Sequence, residues 1–213
     1  MRAAALLRGR RRPGEMTPRY RLFRRAIILL CRVLFGYTRH GGDRVPPEGP
    51  MIVASNHSQY ADPVLVGVAV PRRLQWMAKK ELFVFPFRKV FELAGAFPVD
   101  REGGGRAAVR AALTYLADGW ALGIFPEGTH RAVAKEAKSG VVVLALRSGA
   151  PVPPVYVGRL PGPLARLRGR RLHIFVGEPI RLDASLRGGA AYRAAADQIL
   201  RTIYALPERR ESV

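Results

Sequence analysis

Met51-Ile52-Val53-Ala54-Ser55-Asn56-His57-Ser58-Gln59-Tyr60-Ala61-Asp62-Pro63 is the stretch that decides the fold. Met51 to Ala54 is an apolar run of strand length, and Asp62-Pro63 reads as a helix start. Proline suits the first helical turn, and aspartate is a good N-cap. His57 and Asp62 stand five positions apart. On a helix that is a rotation of roughly 140°, so the two cannot share a helical face. They meet only where the chain between them curls as a loop. The pattern predicts strand, loop and helix, with an imidazole and a carboxylate at the strand's carboxyl end, where open α/β sheets place their chemistry. Read functionally, His57 is a general base and Asp62 fixes its tautomer. Read structurally, Asp62 caps a helix and His57 is an ordinary loop residue. The spacing alone leaves both open.

Working outward, short apolar runs alternate with helical patterns. Strands are expected at Met51–Ser55, Leu74–Ala78, Ala96–Asp100, Ala121–Phe125, Val152–Val157 and Leu172–Val176. Helices are expected at Arg19–Tyr37, Pro63–Val70, Phe85–Ala94, Arg106–Ala117, Ser139–Ser148 and Ala190–Tyr204. Gly119 and Gly149 fall where helix C-caps belong. Alternation of this kind argues an α/β fold with a mainly parallel or mixed sheet. A chain of 213 residues suits one such domain.

Three more blocks follow the His-x4-Asp loop in order: Gly95-Ala96-Phe97-Pro98-Val99-Asp100-Arg101, Phe125-Pro126-Glu127-Gly128-Thr129, and Gly149-Ala150-Pro151-Val152-Pro153-Pro154-Val155. Glu127 stands 70 positions after His57. In this order and spacing, from Arg44 to Leu182, the chain resembles the glycerolipid acyltransferase family. The resemblance implies about seven strands flanked by helices. It also implies transfer of a fatty acyl group from an acyl thioester to the hydroxyl of a lysophospholipid, first of all lysophosphatidate.

That chemistry assigns tasks to particular residues. His57 takes the acceptor's proton and Asp62 orients it, with Asn56 in support. A thiolate leaves readily, so no acyl-enzyme is needed. There is no Gly-x-Ser-x-Gly elbow, and the lone Cys31 is far from the motif blocks. Arg101, matched to phosphate by its planar fork, is expected on the acceptor phosphate. Gly128 lets backbone amides approach an anion, and Thr129 can donate a hydrogen bond. Glu127 is unfavourable beside phosphate, and is expected to organise the loop or the acceptor's hydroxyls. The family's usual arginine after the threonine is here His130, with Arg131 one place later. Phosphate contact therefore falls to Arg131 by a loop shift or mainly to Arg101. Lys138 belongs to a Lys-x-Gly element and adds positive potential, or is a solvated residue at a helix start. No metal or cofactor is expected, since His40, read as a turn residue, and His173 form no ligand cluster. The acyl donor is acyl-CoA or acyl carrier protein.

A formal net charge of +20 demands a polyanionic partner. Residues 1–50 hold twelve arginines against Glu15, Asp43 and Glu48, and a second cluster runs Arg159, Arg166, Arg168, Arg170 and Arg171. Nucleic acid is disfavoured, because no aromatic residues interleave that second cluster. An anionic membrane fits better. On a helix, Arg21, Arg25 and Arg32 share one stripe with Arg24 beside it, opposite Leu22, Phe23, Ala26, Ile27, Leu29, Leu30, Val33 and Leu34. This is the pattern of a basic amphipathic helix in a membrane interface, and its apolar run is too short to span a bilayer. A surface helix with its apolar face on the core is the alternative. The expected organisation is a basic tail over 1–16, a membrane-associating helix over 17–40 and the acyltransferase domain over 41–213, peripheral at the cytoplasmic face of the cell membrane. Translation from Met16 would remove the tail. Two further readings stand beside this one: the same chemistry on another lyso-lipid, and a non-catalytic basic membrane- or nucleic-acid-binding protein on this scaffold.

Overall fold

A computed structural model describes residues 16–83, 88–93, 95–99, 105–128 and 137–208. Its centre is β2 (Met51–Ser55), in which every residue is buried. Met51 and Val53 face one apolar layer, and Ile52 and Ala54 face the other. A strand covered on both sides reads as a continuous apolar run rather than an alternation, which is why this stretch has no polar partner at every second place.

Around β2 the sheet is assembled from β1 (Thr38–His40), β3 (Leu74–Lys79), β4 (Ala96–Val99), β5 (Ala121–Ile124), β6 (Pro154–Val157) and β7 (His173–Val176). The order is β1-β7-β6-β2-β5-β3-β4. All neighbouring pairs are parallel except β6 with β7. The expected seven-stranded, mostly parallel α/β sheet is therefore present. On one face lie α4 (Gly105–Ala117), α5 (Gly140–Ser148) and α7 (Gly189–Ala205), which contribute Leu116, Leu144, Ile199 and Ile203 to the core. On the other lie α1 (Pro18–Phe35) and α2 (Asp62–Ala69), which contribute Cys31, Leu65 and Val66. Two short α-helices, α3 (Arg88–Leu93) and α6 (Pro163–Leu167), are also present.

Several details differ from the sequence reading. β1 was not expected; it lies inside the stretch assigned to the helical unit, and it adds to the sheet only through β7. His40 ends that strand instead of occupying a turn, and its Nε2 lies 3.1 Å from His173 Nδ1. β6 begins late, because Pro153 lacks the N–H that would return a bond to β2, and Val152 makes only an isolated bridge to Ile180. α6, at five residues, is too short to announce itself by periodicity. Gly119 and Gly149 do take the left-handed conformation (φ 81° and 66°) expected after α4 and α5.

The first helix has three faces rather than two. Thr17 caps it by accepting from Tyr20 N (3.1 Å), and Gly36 ends it at φ 60°. The face on the domain carries Tyr20, Arg24, Ile27, Cys31 and Phe35. Arg24 turns inward, donating from Nη2 to Val68 O (2.8 Å) and Val70 O (3.3 Å) and from Nε to Gly67 O (3.2 Å). The last carbonyls of α2 have no partners within their own helix, and a guanidinium satisfies them while complementing the helix dipole. Arg21, Arg25 and Arg32 stay exposed. So do Leu22, Leu29, Leu30, Val33 and Leu34, which point away from the core. Among the described residues no helix is long and apolar enough to cross a membrane.

Candidate active site

At the carboxyl end of β2 the chain turns away from the sheet and re-enters as α2. Asn56 secures the turn. Its Nδ2 donates to Val157 O (3.0 Å) and its Oδ1 accepts from Val157 N (2.7 Å), so the side chain prolongs the ladder between β2 and β6. Asp62 sits in the first turn of α2, after Ala61 at the N-cap, and is completely buried. The expectation that it caps the helix fails, because its carboxylate faces backwards into the loop. Oδ2 accepts from Ser58 N (2.7 Å) and Gln59 N (2.8 Å), and stands 3.1 Å from His57 Nδ1. A buried carboxylate needs such donors. These draw the loop into the curl that brings histidine and aspartate together.

With Nδ1–H donated to Asp62, a tautomer inferred from that hydrogen bond, Nε2 is the basic nitrogen of His57. The imidazole is also held from below. Phe125 stacks on it at a centroid distance of 4.0 Å and an interplanar angle of 16°, and Trp76 stacks on Phe125 at 5.1 Å and 17°. The column needs Gly123, whose register partner is Trp76. A Cβ at 123 would overlap the six-membered ring of the indole. The column fixes the plane of the imidazole.

Glu127 follows β5 and lies almost fully buried beside the histidine. Its Oε1 accepts from Tyr204 Oη (2.8 Å) and, weakly, from His57 N (3.4 Å). Burial, and then the bond to Glu127, push the Tyr204 hydroxyl well above the usual tyrosine range, so it remains a donor. Gly128 closes the turn with N–H to Phe125 O (3.0 Å) at φ 72°. The stem of Lys138 lies against Gly128 Cα, and Lys138 N donates to Pro126 O (2.8 Å). The structure therefore gathers Asn56, His57, Asp62, Glu127, Gly128 and Lys138 at one edge of the sheet. Arg101, Thr129 and Arg131 lie outside the described residues.

Four participants escaped the sequence reading. Phe125 and Trp76 look like strand apolars, Gln59 like a loop polar, and Tyr204 sits in a helix far along the chain. Only the aromatic beside Pro126 in the third block carried any local signal. A cleft of about 540 Å³ opens beside β1 and β7, lined by Arg44, Phe175, Glu178 and Thr202. No cluster of three or more metal-ligating side chains occurs among the described residues.

The family model for Acyltransferase matches residues 37–158, the span that holds His57, Asp62 and Glu127. The chain belongs to the acyltransferase family. Its relatives agree. The 1-acyl-sn-glycerol-3-phosphate acyltransferase of Bacillus subtilis (strain 168) is 30% identical over 164 residues, covering 76% of this chain and 82% of that protein. The protein of the same name from Streptococcus pneumoniae is 29% identical over 172 residues, covering 76% of this chain and 62% of its own length. The crystal structure of the 1-acyl-sn-glycerophosphate (LPA) acyltransferase PlsC from Thermotoga maritima matches with a TM-score of 0.61 over 90% of this chain and 84% of that one. At 18% identity that likeness establishes the shared α/β fold. The acyltransferase is thus an enzyme, and the reading of the scaffold as a non-catalytic binding protein falls away.

Proposed function

We propose that this acyltransferase moves a fatty acyl group from acyl-CoA or acyl carrier protein to the hydroxyl of lysophosphatidate, forming phosphatidate. The observation that carries the reading is the His57–Asp62 pair, 3.1 Å apart on a loop at the carboxyl end of a central strand. The names of the relatives in Bacillus subtilis and Streptococcus pneumoniae supply the acceptor.

His57 Nε2 takes the hydroxyl proton as the acceptor oxygen attacks the thioester carbonyl carbon. Asp62 stabilises the imidazolium so formed. The tetrahedral intermediate then expels the thiolate, which recovers the proton from His57. No acyl-enzyme forms, and the step calls on no metal or cofactor. General-base assistance of this kind contributes roughly 10²–10⁴-fold. Glu127 holds the His57 backbone and takes no part in phosphate contact. Arg101 binds the acceptor phosphate, with Arg131, Thr129 and the amides around Gly128 in support and Lys138 adding positive potential. His130, where the family commonly has arginine, favours one second reading, in which the acceptor is another lyso-lipid.

The enzyme works at the cytoplasmic face of the cell membrane, peripherally, with the outward leucines of α1 in the bilayer interface and its arginines on anionic headgroups. The test incubates wild type and His57→Ala, bound to anionic liposomes, with oleoyl-CoA and lysophosphatidate, and identifies products by mass spectrometry. Phosphatidate from wild type alone supports both the reaction and the base. Equal turnover by folded His57→Ala removes the base, and product only from another lyso-lipid moves the acceptor.

A further inference from the structure

The second arginine cluster of the sequence finds its place at the rim of the site. β6 ends, and β7 begins, at the sheet edge where His57 emerges, because the two strands are antiparallel and β6 runs parallel to β2. The excursion from Gly158 to Leu172 therefore stands beside the catalytic loop. It carries five arginines and no acidic residue. At its centre α6 presents Leu164 and Leu167, 70% and 84% exposed. Leucines that bare on a short helix, flanked along the chain by Arg159, Arg168, Arg170 and Arg171, all exposed, match an apolar wedge with cationic flanks.

Two sets of bonds fix this excursion in relation to its surroundings. Gln59, between His57 and Asp62, donates from Nε2 to Gly158 O (3.3 Å) and accepts at Oε1 from Leu160 N (3.0 Å). At the other end Leu172 N donates to Phe35 O (2.8 Å), and Arg166 and Arg171 pack against Gly36 at the end of α1. The wedge is thus tied to the catalytic loop on one side and to the outward-facing α1 on the other. Tyr60, 83% exposed in the same loop as His57, extends the apolar rim.

We infer that the Gly158–Leu172 excursion is a second lipid-contacting element. Leu164 and Leu167 enter the interface of an anionic bilayer, the flanking arginines sit on its headgroups, and Gln59 joins this element to the His57 loop. With α1 it sets the open edge of the sheet against the membrane, so that an acceptor presents its headgroup while its acyl chain stays in lipid. The inference rests on the lyso-lipid reading only for that last consequence.

The experiment uses the full chain and vesicles of phosphatidylcholine alone or mixed with phosphatidylglycerol. Wild type should sediment with the mixed vesicles, and Leu164→Ser/Leu167→Ser should bind them about tenfold more weakly. Turnover of a short-chain, monomeric lysophosphatidate by that variant should equal wild type, while turnover of vesicle-borne acceptor falls. A direct readout comes from Leu167→Trp with brominated acyl chains, since Trp76 and Trp120 are buried. Quenching of the added indole supports insertion. Absence of quenching, or vesicle binding by the serine variant equal to wild type, overturns the inference. Binding to a protein partner with no preference for anionic vesicles overturns it as well. If wild type turns over neither acceptor, the proposed reaction fails, yet the sedimentation and quenching still decide the lipid contact.

Discussion

Tyr204, on the last helix, donates a 2.8 Å hydrogen bond to Oε1 of Glu127, the oxygen that also faces His57 N at 3.4 Å. The C-terminal helix is thereby tied to the loop that carries the imidazole. Tyr204→Phe keeps the ring, which packs edge-on against Tyr156 at 5.9 Å, and removes only the donor. Loss of one such bond should cost about 1 kcal/mol of stability, roughly 2–4 °C in Tm, and should lower kcat as the loop that carries His57 loosens. Steady-state kinetics and a melting curve check it. An unchanged kcat would mean that Glu127 keeps its position without help from α7.

Asp62 joins three donors in one buried place, so charge and geometry can be separated. Asp62→Asn should retain part of the loop yet lose roughly 10²-fold or more in kcat, since the neutral amide no longer stabilises an imidazolium. Asp62→Ala leaves the Ser58 and Gln59 amides without their acceptor and should cost about 3 kcal/mol of stability. Urea unfolding of both variants, alongside activity, distinguishes the two effects. Equal stability of wild type and the alanine variant would contradict this account of the loop.

Gly123 exists for Trp76. Gly123→Ala should destabilise by about 2 kcal/mol through overpacking and should also reduce activity, because Phe125 and then His57 rest on the displaced indole. Adding Trp76→Leu relieves the overlap. The double variant should recover stability while activity stays low, the aromatic support being gone. Recovery of both would mean that the column does not position the histidine.

Arg24 offers a test of how α1 is held. Arg24→Ala leaves the Gly67, Val68 and Val70 carbonyls without their guanidinium, while Arg39 keeps Ala69 O, and should cost about 1–2 kcal/mol, read from chemical denaturation. Leu29→Ser/Val33→Ser, on the outward face, should leave stability unchanged and weaken vesicle binding.

Alkaline pH probes the junction that follows α1. Burial, offset in part by Arg39 and Arg24, pushes the Tyr37 hydroxyl from 10.0 up to about 12. The folded state therefore keeps a proton that the unfolded chain gives up. Stability from this group is complete below pH 10.0 and falls as pH rises toward about 12. Melting temperatures across that range, with tyrosine ionisation followed by absorbance, should show the fall, and Tyr37→Phe should lessen it, the raised Tyr20 and Tyr204 hydroxyls supplying the rest.

Local information in the sequence determined a good deal of this protein. Strand length, helical period and the proline and glycine stops are set by neighbours within a few residues, so six strands and most helices were legible, as was the His-x4-Asp loop. The pairing of His57 with Asp62 was legible too, because only five positions separate them. What a residue meets across the sheet was not. Tyr204 reaches Glu127, Asn56 completes the ladder to Val157, and His40 stacks near His173 only because strand order brings distant segments side by side. β1 pairs with a single partner far along the chain, and three residues carry too little pattern to announce a strand. The faces of α1 show the same division. Periodicity grouped its arginines and leucines, but the unfilled carbonyls at the end of α2 drew Arg24 inward and left the leucines facing out.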